Sequence, residues 1–79
     1  MNAVHIRTHG LEDDQCTATV EMVVGELEGV AAVVAVKSMG ITSVLFYEET
    51  VSTRSILRAI RSMGFDARLL RADPVAVAS

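Results

Sequence analysis

The hydrophobic period of this chain switches back and forth between two and about 3.6 residues, the repeats of strand and helix. Val4, Ile6 and Thr8 alternate with His5, Arg7 and His9, which predicts a half-buried strand ended by Gly10. Val20, Val23, Val24 and Leu27 then fall at i, i+3, i+4 and i+7, the apolar stripe of a core-facing helix. This helix is expected to follow the acidic stretch Glu12-Asp13-Asp14, to carry Cys16 at its N-terminus, and to close at Glu28-Gly29. Gly25 falls inside it, at a cost of up to ~1 kcal/mol relative to alanine.

The β-branched, alanine-rich run from Val30 to Lys37 predicts a second strand, and Ser38-Met39-Gly40 a turn. From Ile41 to Tyr47, Thr42, Val44 and Phe46 alternate with Ile41, Ser43, Leu45 and Tyr47, completing a hairpin. Ser52 is a favourable N-cap for a helix with Ile56, Leu57, Ile60 and Met63 on one side and Arg54, Arg58 and Arg61 on the other, stopped by Gly64. Ala67 to Leu70 reads as a short last strand, and Ala72 to Ser79 as a tail without periodicity. The order β-α-β-β-α-β is that of the ferredoxin-like α+β sandwich, a four-stranded antiparallel sheet with two helices on one face. Residues 1–71 form the expected domain, and residues 72–79 a tail or the start of a linker.

Composition narrows the function classes. With 79 residues, the chain supplies one domain, and 51% hydrophobic residues give it the material for a core. A single cysteine forms no intramolecular disulfide. Residues 1–49 carry a net charge of −6 and residues 50–79 a net charge of +3, a division that points to a charged partner or to self-association. There is no basic stripe, and Phe46, Tyr47 and Phe65 are the only aromatics, so nucleic acid is not the expected partner. No apolar run approaches the ~20 residues of a membrane-spanning helix. The expectation is therefore a soluble segment that does not insert into a membrane. No nucleophile with its base, phosphate-binding glycine loop or dense metal cluster is visible, so a non-catalytic module is expected.

The segment Gly10-Leu11-Glu12-Asp13-Asp14-Gln15-Cys16 resembles the metal-binding loop Gly-Met-x-Cys-x-x-Cys of heavy-metal-associated domains. The resemblance continues through Val20-Glu21, Leu27-Glu28-Gly29-Val30, Val44, Phe46, Tyr47, Ser52 and Ala59-Ile60-Arg61-Ser62-Met63-Gly64-Phe65-Asp66-Ala67. It covers residues 4–70, and its closing Gly-Phe is especially similar to the N-terminal modules of copper-transporting P-type ATPases. Other members are cytosolic copper chaperones. The resemblance implies a cytoplasmic metal-binding module, or the cytosolic segment of a membrane transporter. It also implies copper(I) as cargo, and a copper chaperone or other domains of a metal-transporting ATPase as partners. The motif is degenerate: Asp13 stands at the first cysteine position, Leu11 at the methionine, and Cys16 at the second cysteine.

Copper(I) prefers soft sulfur ligands and low coordination number, so one thiolate and one carboxylate do not reproduce the family's two-thiolate site. The candidate ligands are Cys16 and Asp13. Joined by Glu12 or Asp14, they make a mixed sulfur and oxygen set of the kind zinc(II) accepts. Alternatively, Cys16 shares copper(I) with a partner's thiolates, either those of another protein or the Cys16 of a second copy in a metal-bridged homodimer. A plainer role for the acidic run is to cap the helix and to complement its dipole. His5 and His9 lie about 13 Å apart on one strand, too far for one ion, and are expected as exposed sheet-face side chains. The resemblance implies that Phe65 and Leu11 shield and anchor the loop through packing. Ile41, Leu45 and Tyr47 are expected on the open face of the sheet. Whether Val34 and Val36 join them depends on whether Val33 and Ala35 take the core positions. A metal-free protein–protein interaction or regulatory domain is the alternative function.

Overall fold

The computed structural model describes residues 1–74, arranged as β1 (Asn2–His9), α1 (Asp14–Gly25), β2 (Val30–Val36), β3 (Ile41–Phe46), α2 (Thr53–Ser62) and β4 (Asp66–Pro74). The strands form one antiparallel sheet in the order β2-β3-β1-β4, as expected for the ferredoxin-like sandwich. β1 is central, pairing with β3 on one side and β4 on the other. Its alternation delivers Val4, Ile6 and Thr8 into the core, where each is almost completely buried.

Both helices cover that face. Val20 and Val24 of α1 and Ile56 and Ile60 of α2 are fully buried, together with Val44 and Phe46 of β3 and Ala67 of β4. Thr8 and Thr42 are the polar members of this layer, and their hydroxyls satisfy each other at 2.9 Å. The Ser52 hydroxyl accepts the Ser55 amide at 3.1 Å and caps α2, as its sequence position predicts.

Two sequence expectations need correction, and a third point, left open by the sequence, is decided. α1 ends at Gly25 rather than Glu28, and Glu26 caps it. Leu27 still packs on the core, but from the turn, where its amide bonds to the Val24 carbonyl at 3.1 Å. The apolar stripe thus continues two residues past the end of the helix. Gly29 takes φ +95° in the turn into β2, where a Cβ would lie 2.7 Å from the Thr50 Cβ. Second, β4 does not stop at Leu70. After a bulge opposite His5 and Ile6, it continues through Ala72, Asp73 and Pro74, opposite Val4, Ala3 and Asn2. These three residues belong to the sheet rather than the tail, and residues 75–79 of the expected tail lie outside the described residues.

Third, the register of β2 is now defined. Val33 stands opposite Val44 and Ala35 opposite Thr42, and both pack against the core. Val34 and Val36 consequently face the open side with Ser43 and Ile41, and Val34 is 55% exposed. An apolar strip therefore exists on that face along β2 and β3. It gives way on β1 to His5, whose Nδ1 lies 2.7 Å from the Ser43 Oγ.

Packing and turn geometry give opposite expectations for two glycines. Gly25→Ala meets nothing within 4 Å and has no positive φ, so it is expected to stabilise the fold by up to ~1 kcal/mol. Gly29→Ala combines a left-handed φ with a steric clash and is expected to destabilise it; urea unfolding of both variants checks the signs. Ile60→Ala, at a site with no exposure, should cost about 2–5 kcal/mol in the same assay.

Candidate metal centre

The β1–α1 loop is built to present one thiol beside one carboxylate. Gly10 turns the chain out of β1 at φ +107°, and the Phe65 ring stands against it, so that a Cβ there would meet the Phe65 Cδ1 at 3.0 Å. Leu11 is 8% exposed and belongs to the core cluster, anchoring the loop from below. Phe65 is half-buried against the same cluster. Both residues take the packing roles expected of them.

Asp13 is the N-cap of α1. Its backbone is extended, and its Oδ1 accepts the Cys16 amide at 2.8 Å. That bond answers one of the free N–H groups at the helix start. The Cys16 amide, followed by the Cys16 side chain, holds the Asp13 carboxyl below the usual aspartate value of 3.8, and Lys37 acts in the same direction. Asp13 is therefore ionised across the neutral range. Cys16 is the third residue of α1, half-buried, with its side chain against the core.

The other acids of the loop point elsewhere. Asp14 pairs with the Lys37 Nζ at 2.9 Å, a contact between largely exposed groups that is worth little in stability. This pairing raises the Lys37 ammonium above its ordinary value. Glu12 is exposed. Among the described residues, no three His, Cys, Asp or Glu side chains converge where one ion could be held, so the mixed set of Cys16, Asp13 and Glu12 or Asp14 is not assembled. His9 is exposed at the end of β1, and His5 is occupied with Ser43 on the open face. The chain by itself brings together Cys16 and Asp13, and the carboxylate of that pair already serves the helix.

This loop and fold can be set beside known proteins. The chain is 36% identical over 61 residues to the copper chaperone CopZ of Bacillus subtilis (strain 168), a match covering 77% of this chain and 88% of that protein. It belongs to the heavy-metal-associated domain family. No family model matches it. The heavy-metal-associated fold is equally clear in solved structures. The yeast copper transporter domain CCC2A matches with TM-score 0.84 and 28% identity, covering 90% of this chain and 97% of that one. A copper-binding domain from HMA7, a P-type ATPase, superposes with TM-score 0.89 at 22% identity, covering 91% and 97% of the two chains. Among the described residues, no helix is long and apolar enough to cross a membrane.

Two contacts near the site were not anticipated from sequence. Lys37 reaches from the β2–β3 turn to Asp14, and Arg61 of α2 donates through Nε and Nη2 to the Ala67 carbonyl of β4 at 3.1 and 2.7 Å. Their partners are distant in sequence or lie on another element, and periodicity carries no information about them.

The cap predicts a specific titration. A depressed carboxyl pKa in the folded state contributes stability above the unfolded value, and this contribution is lost as pH falls through the folded one. The Cys16 amide proton, followed by NMR, should shift with a midpoint below 3.8. Asp13→Ala should abolish that transition and lower Tm.

Proposed function

We propose that this heavy-metal-associated domain exchanges copper(I) through a single thiolate, Cys16, and completes the ion's coordination with thiolates of a partner. The supporting observation is the local geometry: the one thiol sits at the family's loop position, while the residue at the other cysteine position, Asp13, accepts the Cys16 amide at 2.8 Å. A carboxylate is a hard ligand and a poor substitute for sulfur toward copper(I), so the chain alone offers one good ligand where a linear site needs two. Weak binding in isolation and firm binding across an interface follow from that count. Zinc(II) is less well served, since it takes four ligands in closed sites and the loop converges on two.

The resemblance to copper chaperones and ATPase domains makes those proteins the natural thiolate donors, and makes this domain a non-catalytic module acting on the cytoplasmic side. A metal-bridged pair, with Cys16 from each copy, is the homotypic version of the same chemistry. The rival reading is a metal-free interaction domain, favoured by one observation: the Asp13 carboxylate is already committed to capping α1.

Titration of the reduced chain with copper(I) against a chromophoric competitor separates the two readings. Weak binding lost in Cys16→Ala, and strengthened when a dithiol partner is added, is the expected outcome. Asp13→Cys should raise copper(I) affinity by orders of magnitude, because it restores two soft donors on the same loop. Copper retained entirely by the competitor, with or without Cys16, would assign the domain to metal-free interaction.

A further inference from the structure

The face of the sheet that the helices leave open is divided along its strands. Ala32, Val34 and Val36 of β2 stand beside Leu45, Ser43 and Ile41 of β3. Those three stand in turn beside Ala3, His5 and Arg7 of β1. On β4, Arg71 comes opposite His5 and Arg68 opposite Arg7. Directly opposite residues share a face, so an apolar half on β2 and β3 adjoins a cationic half on β1 and β4. Beside their boundary lies a shallow cavity of about 180 Å³, walled by Ala3, Ala32, Val34 and Leu45. Its polar side is the pair of His5 and Ser43, whose Nδ1 and Oγ are 2.7 Å apart.

The cationic half is short of counter-charge. Arg71 pairs with Asp73. Arg7 and Arg68 stand directly opposite each other, an unfavourable placement for like charges, and neither has an ion-pair partner among the described residues. Asp66, two residues before Arg68, closes on neither. The Arg7 Nε is buried and has no hydrogen-bond partner among the described residues, and such an unanswered donor costs stability until an acceptor reaches it. We propose that this face binds a small amphipathic oxyanion, a short apolar chain ending in a carboxylate or a phosphate. The chain lies in the cavity, and the head is held between Arg7 and Arg68. A guanidinium takes such a head bidentately, so a turn of the Arg7 side chain that brings Nε out to it answers the orphaned donor. The negative head also relieves the repulsion between the two arginines. The cavity sets the size of the apolar part: it is smaller than the ~300–1,000 Å³ of sites for drug-sized ligands, so it takes a short chain. Arg7 is two residues from His5, roughly 7 Å along the strand, so that one molecule spans both halves.

This site uses neither Cys16 nor metal, and it is independent of the copper reading. The test is an NMR titration of the full chain, reduced and metal-free, with hexanoate, and with hexanol and acetate as its separated halves. Hexanoate is expected to shift the amides of Ala3, His5, Arg7, Ser43 and Arg68 along one saturable curve, at about tenfold lower concentration than either half. Hexyl phosphate should follow the same curve of residues, since the head is read as an oxyanion. Arg7→Met keeps the apolar stem and removes the charge, and should weaken hexanoate about tenfold. Arg68→Gln, at an exposed position, should weaken it in the same direction without touching the buried Nε. Val34→Glu, at a position 55% exposed, sets a like charge at the cavity and should abolish binding with the circular dichroism unchanged. Arg54→Gln on α2 removes the same charge from the other side of the molecule and should leave the affinity as it is. The absence of a saturable shift at tens of millimolar hexanoate would overturn the proposal. So would hexanol binding as well as hexanoate, Arg68→Gln and Val34→Glu chains that keep the parent affinity, or an Arg54→Gln effect as large as that of Arg68→Gln.

Discussion

Everything in this domain hangs on the burial of one face of β1. Val4, Ile6 and Thr8 are inaccessible to solvent or nearly so, and the strand that carries them is bonded on both edges, to β3 and to β4. A strand with two partners and one apolar face has its register determined from both sides, since a slip by one residue would expose the valine and isoleucine and bury His5 and Arg7. The helices then have one place to put their apolar stripes. Thr8 and Thr42 close this layer near the metal-loop end, each hydroxyl satisfying the other, so that two polar side chains are buried without an orphaned oxygen.

The metal loop inherits its shape from that layer. It leaves β1 directly after Thr8 and His9, is held beneath by Leu11 and beside Gly10 by Phe65, and enters α1 at a capped first turn. Within this frame, exchanging a family cysteine for Asp13 changes the chemistry without disturbing the fold, because aspartate is among the best N-cap residues. The position that supplies sulfur to a metal in the family's motif here supplies an oxygen to the helix. The scaffold keeps its geometry, and of the motif's two cysteine positions one carries a thiol, Cys16.

The order of elements, the inward faces of β1, β3 and α2 and the Ser52 cap were legible because each rests on local periodicity or on a side chain bonding its own backbone, whereas the positions of Leu11 and Phe65 came from the resemblance. Where that reading failed, the cause was non-local. α1 stops at Gly25 although its apolar spacing runs to Leu27, since a side chain can reach the core from a turn as well as from a helix. β4 runs to Pro74 although Ala72-Asp73-Pro74 has no strand pattern, since its partner β1 begins at Asn2 and offers ladder bonds along its whole length. The open-face position of Val34 and Val36 was undecided for the same reason: Val30 to Val36 is apolar throughout, and only pairing with β3 chooses a side.

What the sequence determined by itself is the set of available groups: one thiol, one carboxylate three residues before it, an uncharged strand, and arginines gathered toward the C-terminal half. Tertiary structure decided which of them meet. It spent Asp13 on the Cys16 amide, directed Asp14 to Lys37, kept His5 on the far face with Ser43, and set Glu21 against the bare edge of β2. Composition and periodicity specify what a segment can bury and how it folds locally. Which polar atoms come within bonding distance depends on the strand order and on the angles of two helices, and these are settled only when the whole core closes.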